Sequence, residues 1–261
     1  MLLRLGVATT GALLAACIEF SPFETDLDED ERAQTRRNLA WLAALPDPGE
    51  HLQFAVVADS HQHVDELSKI VDAINGRPGI DFVAHLGDVT DVGLREEYRA
   101  TLESLKRLRV PFVTVIGNHD AISNGKLVYR EMFGPYDYVF RRGLTRFVCF
   151  NSNTLEFGSV PDLEWLDEQT ANRDGASRVI ALTHQPSREP DYAQVLERNR
   201  TDLLVTAHRH SPGLDNGGKD GELVRLSVDD ALSGHWAIVT VSLGELGIAS
   251  CVRNTCVEER P

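Results

Sequence analysis

Between residues 54 and 210, five short apolar runs each break off into a cluster of Asp, Asn or His. Phe54 to Ala58 gives way to Asp59-Ser60-His61, and Asp81 to Leu86 to Gly87-Asp88-Val89-Thr90-Asp91. Pro111 to Ile116 leads into Gly117-Asn118-His119-Asp120, Val179 to Thr183 into His184, and Asp202 to Thr206 into Ala207-His208-Arg209-His210. Runs of this length are strands. Helical patterns separate the first three: Leu67, Ile70, Val71 and Ile74 repeat on one face until Gly76 and Pro78, and Leu94 to Leu108 turns Tyr98, Leu102 and Leu105 inward. A β-α-β-α-β succession implies a parallel sheet. Ligands bind beyond the carboxyl ends of such strands, so the clusters are expected to converge.

The converging set contains carboxylates, an Asn and several His but no thiolate, which suits Mn, Fe or Zn rather than Ca. Net charge supports a metal site from another direction. With 26 Lys plus Arg against 40 Asp plus Glu, a formal charge of -14, no surface for neutralising nucleic-acid phosphates is expected. An anionic substrate then needs a local positive centre, and bound divalent ions dominate the field of a small site.

The ordered blocks Asp-x-His, Gly-Asp-x-x-Asp, Gly-Asn-His-Asp, a lone His and His-x-His resemble the calcineurin-like phosphoesterase superfamily, over roughly His51 to His210. The resemblance implies an α/β fold, a four-layer metallophosphoesterase sandwich of two mixed β-sheets flanked by helices. It attaches the strand-rich tail to the second sheet. It implies two divalent or mixed-valence metal ions, with Asp59, His61 and His210 on the first, Asp88 bridging, and Asn118, His184 and His208 on the second. A shared hydroxide then attacks the phosphorus of a small phosphorylated substrate. His119 donates the proton to the leaving oxygen, with Asp120 beside it to orient the imidazole. Asp91 hydrogen-bonds a ligating group and fixes its orientation. The purple acid phosphatases carry a Tyr ligand at the position of Asp91, so the chain is similar to the colourless branch. One departure is Ala207, where the family usually has Gly, and it bears on the placement of His208. The resemblance leaves monoester and diester substrates equally open. The rival reading is a metal-binding or scaffold lipoprotein with little or no activity, which the intact His119 disfavours.

Residues 1–16 carry one basic residue, Arg4, and an apolar stretch too short for a confident membrane span, as a signal peptide does. Leu14-Ala15-Ala16-Cys17 resembles the bacterial lipobox, implying a mature start at an acylated Cys17 and an extracytoplasmic, membrane-anchored protein. Residues 17–50 are acidic and are expected to form a tether with one short helix at the apolar patch Leu39 to Leu45. The catalytic domain is assigned to 51–261. In an oxidising compartment Cys251 and Cys256 are the natural disulfide pair, with Cys149 a buried thiol.

Further along, a hairpin is expected around Arg142-Gly143, helices near Leu163 to Thr170 and Tyr192 to Arg198, and tail strands at Leu223 to Val228, Ala237 to Leu243 and Ile248 to Val252. His85 is read as structural and Trp165 as a core face. His63 is read as a residue at a helix start, with a substrate contact the alternative. Arg209 and His235 are left unassigned, and Asp229-Asp230 is read as a solvated turn.

Overall fold

A computed structural model describes residues 21, 23–187, 191–215, 223–242 and 244–259. Cys17 and the signal segment lie outside the described residues, as does most of the Gly-rich stretch after Asp215. In chain order, helix α1 (Gln34–Ala44) precedes β1 (Leu52–Val57), α2 (Val64–Asn75), β2 (Phe82–His85), α3 (Arg95–Leu105) and β3 (Phe112–Thr114). Then come α4 (Gly125–Met132), β4 (Tyr138–Arg142), β5 (Thr145–Cys149), α5 (Thr154–Phe157), α6 (Leu163–Ala171) and β6 (Arg178–Leu182). The remainder is α7 (Asp191–Arg198), β7 (Leu203–Thr206), β8 (Gly213–Asp215), β9 (Val224–Ser227), β10 (His235–Val241), β11 (Leu246–Val252) and β12 (Thr255–Glu259).

Two six-stranded mixed sheets result, in the orders β12-β11-β10-β1-β2-β3 and β4-β5-β6-β7-β9-β8. β1, β2 and β3 pair in parallel as the sequence pattern requires, and so do β5, β6, β7 and β9. Strand alternation sorts the side chains into layers. Phe54, Val56, Phe82 and Ala84 point into the core between the sheets with Phe147, Ile180 and Val205, while Ala55, Val57 and Val83 pack outward against Leu67, Ile70 and Tyr98 of α2 and α3. Leu166 of α6 and Leu196 of α7 cover the other sheet with Val148 and Val179. The four layers expected from the resemblance are all present.

Two expectations are corrected. The tail does not complete the second sheet: β10 pairs antiparallel with β1, and β11 and β12 extend the first sheet outward, leaving only β9 in the second. The described residues before 51, expected to form a tether with one short helix, do contain that helix, α1, but pack against the domain. Leu42 of α1 is buried in the core between the sheets, Asn38 Oδ1 accepts the Phe112 N–H at the edge of β3, and Arg99 binds the Glu31 carboxylate. The acidic composition that suggested solvation is consumed by ion pairs to α3. Cys251 and Cys256 are disulfide-bonded across the β11–β12 hairpin, and Cys149 is a buried free thiol pushed up to about 12 by burial.

Candidate metal centre

All five polar clusters meet at one end of the two sheets, three from the first and two from the second. Of the ten described non-glycine residues with positive φ, five are candidate ligands: Asp59, His61, Asp88, His208 and His210. Left-handed backbone costs such residues about 1–3 kcal/mol each and persists only where the surroundings enforce it. The chain takes this left-handed turn after β1, β2 and β7, whereas Asn118 after β3 is right-handed at φ -73°. Close approach explains the glycine of the Asn-His block: a Cβ on Gly117 would lie 2.0 Å from Asp88 Oδ1. Ala207 shows no positive φ, so its β-carbon is tolerated, and the left-handed turn falls on His208 at φ 71°.

Three overlapping sets emerge among the described residues. Asp59, His61 and His210 form one, Asp88, His184 and His208 another, and His61, Asp88 and His119 a third that bridges them, with the donor atoms of each set within 4.8 Å of one another. Asp88 Oδ2 lies 3.9 Å from His61 Nε2 and 3.2 Å from His184 Nε2, so its carboxylate faces both. Asn118 Oδ1 is 3.0 Å from His184 Nε2 and joins the second set.

Two of the candidate imidazoles are held with Nδ1 engaged and Nε2 left for ligation. His184 Nδ1 donates to the Leu86 carbonyl at 2.7 Å, which turns Nε2 toward Asp88 and Asn118. His210 Nδ1 donates to Asp230 Oδ2 at 2.9 Å, leaving Nε2 toward Asp59. Such outer hydrogen bonds fix ring orientation and raise ligand basicity.

Charge makes the same case. Burial pushes Asp59 up to about 6, and its buried Oδ1 accepts no hydrogen bond, with His210 Nε2 3.9 Å away. Burial likewise opposes the Asp88 charge, but the adjacent His184 overrides it and holds Asp88 at about 2, and the same pairing lifts His184 to about 9 against its own burial. A buried carboxylate oxygen without a hydrogen-bond donor, beside a carboxylate that takes up whatever positive charge is nearest, fits a cation site.

The sequence model of the family described as Calcineurin-like phosphoesterase matches residues 52–212, more than half of the chain. The chain belongs to the calcineurin-like phosphoesterase family. It is 31% identical over 125 residues to a probable glycerophosphodiester phosphodiesterase of Arcobacter nitrofigilis, covering 43% of this chain and 44% of that one. It is 25% identical over 203 residues to a probable cyclic nucleotide phosphodiesterase of Rhodopseudomonas palustris, covering 72% and 66%. Both matches span less than two thirds of the relative's length. A purple acid phosphatase from yellow lupin, Lupinus luteus, superposes with a TM-score of 0.65 at 12% identity, over 83% of this chain and 54% of that one. At that identity the likeness shows the shared fold alone.

Within this calcineurin-like phosphoesterase, His119 of the third set is half-exposed, its ring edge-on to His61 at 4.8 Å. Its Nδ1 donates to the Asp91 carbonyl at 2.6 Å, not to Asp120. The orienting role expected of Asp120 is therefore corrected: its buried carboxylate accepts from Gly117 N, Thr90 N and Thr90 Oγ1, bracing the loop, and burial pushes it up to about 7. Asp91 sits between His61 and His119, its Oδ1 3.7 Å from His61 Nδ1 and its Oδ2 accepting from Gln62.

Asp230, read from sequence as a solvated turn, is the residue that reasoning missed. It caps a 3₁₀ turn by accepting from Ser233 N and holds His210 as well. An Asp three residues before Ser at a turn start was the available signal. His235 and His85 bond to Ser250 and Ser60 and are structural, and Arg209 lines a neighbouring cavity. His63 occupies the N-cap of α2.

Proposed function

We propose that this calcineurin-like phosphoesterase hydrolyses phosphodiesters with two metal ions held by Asp59, His61 and His210 and by Asn118, His184 and His208, with Asp88 between them. The observation that carries the reading is Asp88, a buried carboxylate facing one histidine of each ligand set. When bound, divalent ions supply the charge that attracts a phosphoryl group and the acidity that makes water a nucleophile at neutral pH.

The chain's own residues do the rest. Asp59 and Asp88 offset the charge of the cations, and Leu86, Asp91 and Asp230 hold three imidazoles in position. With Nδ1–H committed to the Asp91 carbonyl, the Nε2 of His119 can carry a proton to the departing oxygen. A cavity of about 460 Å³ opens beside Asn118 and His208, walled by Leu155, Val160, Pro161 and Gln185, and gives room for a second ester group. The phosphodiesterase names of the two curated relatives favour the same class.

The lipobox and the Cys251–Cys256 disulfide support an acylated Cys17 and an extracytoplasmic location. Among the described residues no helix is long and apolar enough to cross a membrane. The deciding experiment is a turnover screen of the metal-reconstituted protein against phosphodiesters, phosphomonoesters and nucleotides. Hydrolysis of diesters ahead of monoesters is expected. Full metal loading with no turnover on any class would favour the scaffold reading.

A further inference from the structure

Half of the large exposed apolar side chains among the described residues, five of ten, belong to segments that contact one another beside residues of the candidate metal centre. They are Phe23 (57% exposed), Val92, Ile122, Leu127 (59%) and Leu155 (89%). Hydrogen bonds and close approaches tie these segments together. Asn124 Nδ2 donates to the Phe23 carbonyl at 2.8 Å, which fixes the N-terminal segment against the turn that carries Ile122. A Cβ on Gly93 would meet the Ile122 carbonyl at 2.3 Å, so Val92 abuts the same turn. Lys126, beside Leu127, donates to the Glu156 carbonyl and lies over the Phe157 ring, joining α4 to α5 and Leu155. The turn is the continuation of His119, and Leu155 shares its cavity with Asn118 and His208. The proposed substrate cavity uses Leu155 as a wall but none of Phe23, Val92, Ile122 or Leu127, and clustered exposed apolar groups of this kind mark a contact surface.

The chain itself points to the occupant. Phe23 is six residues after Cys17, and six residues reach at most about 20 Å. A globular chain of this length has a radius of gyration of about 18 Å, so its far side lies well beyond that reach. We propose that this contact surface rests in the interface of the lipid bilayer, with Phe23, Leu127 and Leu155 at headgroup depth and the metal cleft opening beside the membrane surface. The inference rests on the lipid-anchor reading in Proposed function and not on the hydrolytic one. A net charge of -14 disfavours anionic lipid, so contact is apolar and suits a zwitterionic surface.

The test uses the full-length acylated protein in phosphatidylcholine vesicles. Cys149 is buried and Cys251 and Cys256 are bonded, so a thiol introduced as Leu127→Cys, Leu155→Cys or, at the opposite end of β1, Glu50→Cys takes a fluorophore selectively. Lipid-borne quenchers should dim the labels at 127 and 155 and spare the label at 50. Equal quenching at all three, or none at 127 and 155, overturns the proposal. So does shielding of 127 and 155 in lipid-free solution, which would identify a protein partner. Mass spectrometry of the mature N-terminus checks the anchor separately. If the chain carries no lipid, cosedimentation of the unacylated protein with the same vesicles decides: it should fall about tenfold or more in Leu127→Asp with Leu155→Asp, and its absence in the native chain overturns the proposal. Hydrolysis of a water-soluble ester by Leu127→Asp should be unchanged, which keeps failure of the membrane contact distinct from failure of the enzyme reading.

Discussion

His184, His210 and His119 each commit Nδ1, to Leu86, Asp230 and Asp91, so hydrogen bonding at Nδ1 alone does not separate ligand from proton donor. The proton-donor role proposed for His119 rests on its place in the Gly-Asn-His-Asp block. His119→Ala is therefore expected to keep the metal content while lowering turnover about 100- to 10,000-fold on esters of poor leaving groups. Activated nitrophenyl esters, which depart without a proton, should suffer far less. Paired kinetics and metal analysis check this, and loss of metal would make His119 a ligand instead. Asp230 acts through His210, so Asp230→Ala should weaken metal affinity about 10- to 100-fold. Competition against a chelating indicator reads that directly, with no need for turnover.

At the scale of elements, the strand-end turns hold the ligands, and their glycines set how closely the loops pass. In Gly117→Ala the added methyl meets both Asp88 Oδ1 and Asp88 N, so the carboxylate must move. Metal content should fall while the fold survives, as read by metal analysis alongside circular dichroism. Most of this was legible in the sequence, because β1, β2, β3, β6 and β7 are apolar runs that end abruptly in donors, and the helix faces of α2 and α3 repeat cleanly. Less legible was β12, whose Thr-Cys-Val-Glu-Glu lies exposed at a sheet edge and so carries no buried stripe. The same holds for β8, which is three residues long and exposed at both ends. That β10 would pair with β1, and that Asp230 would thereby reach His210, depends on contacts between distant parts of the chain that no local pattern encodes.

For the whole molecule, two sheets packed face to face bring five loops, spread between Asp59 and His210, to one place, and the N-terminal segment closes the edge of the first sheet. Asn38 satisfies the Phe112 N–H from α1, and Arg142 donates to Leu42, Leu45, Pro46 and Asp81 where α1 ends. Asn38→Ala should cost about 1–3 kcal/mol in urea unfolding and leave metal content unchanged, because it uncovers a buried donor far from the ligands. Asp88 faces a histidine of each candidate set, so a shared centre should need both sets filled. A titration of manganese into the metal-free protein, with bound metal and phosphodiester hydrolysis followed together, tests that most directly. Turnover should appear only as the second equivalent binds, and Asp88→Asn should abolish both tight sites at once. Full activity at one ion per chain, or two tightly held ions in Asp88→Asn, would contradict a centre built on a shared carboxylate.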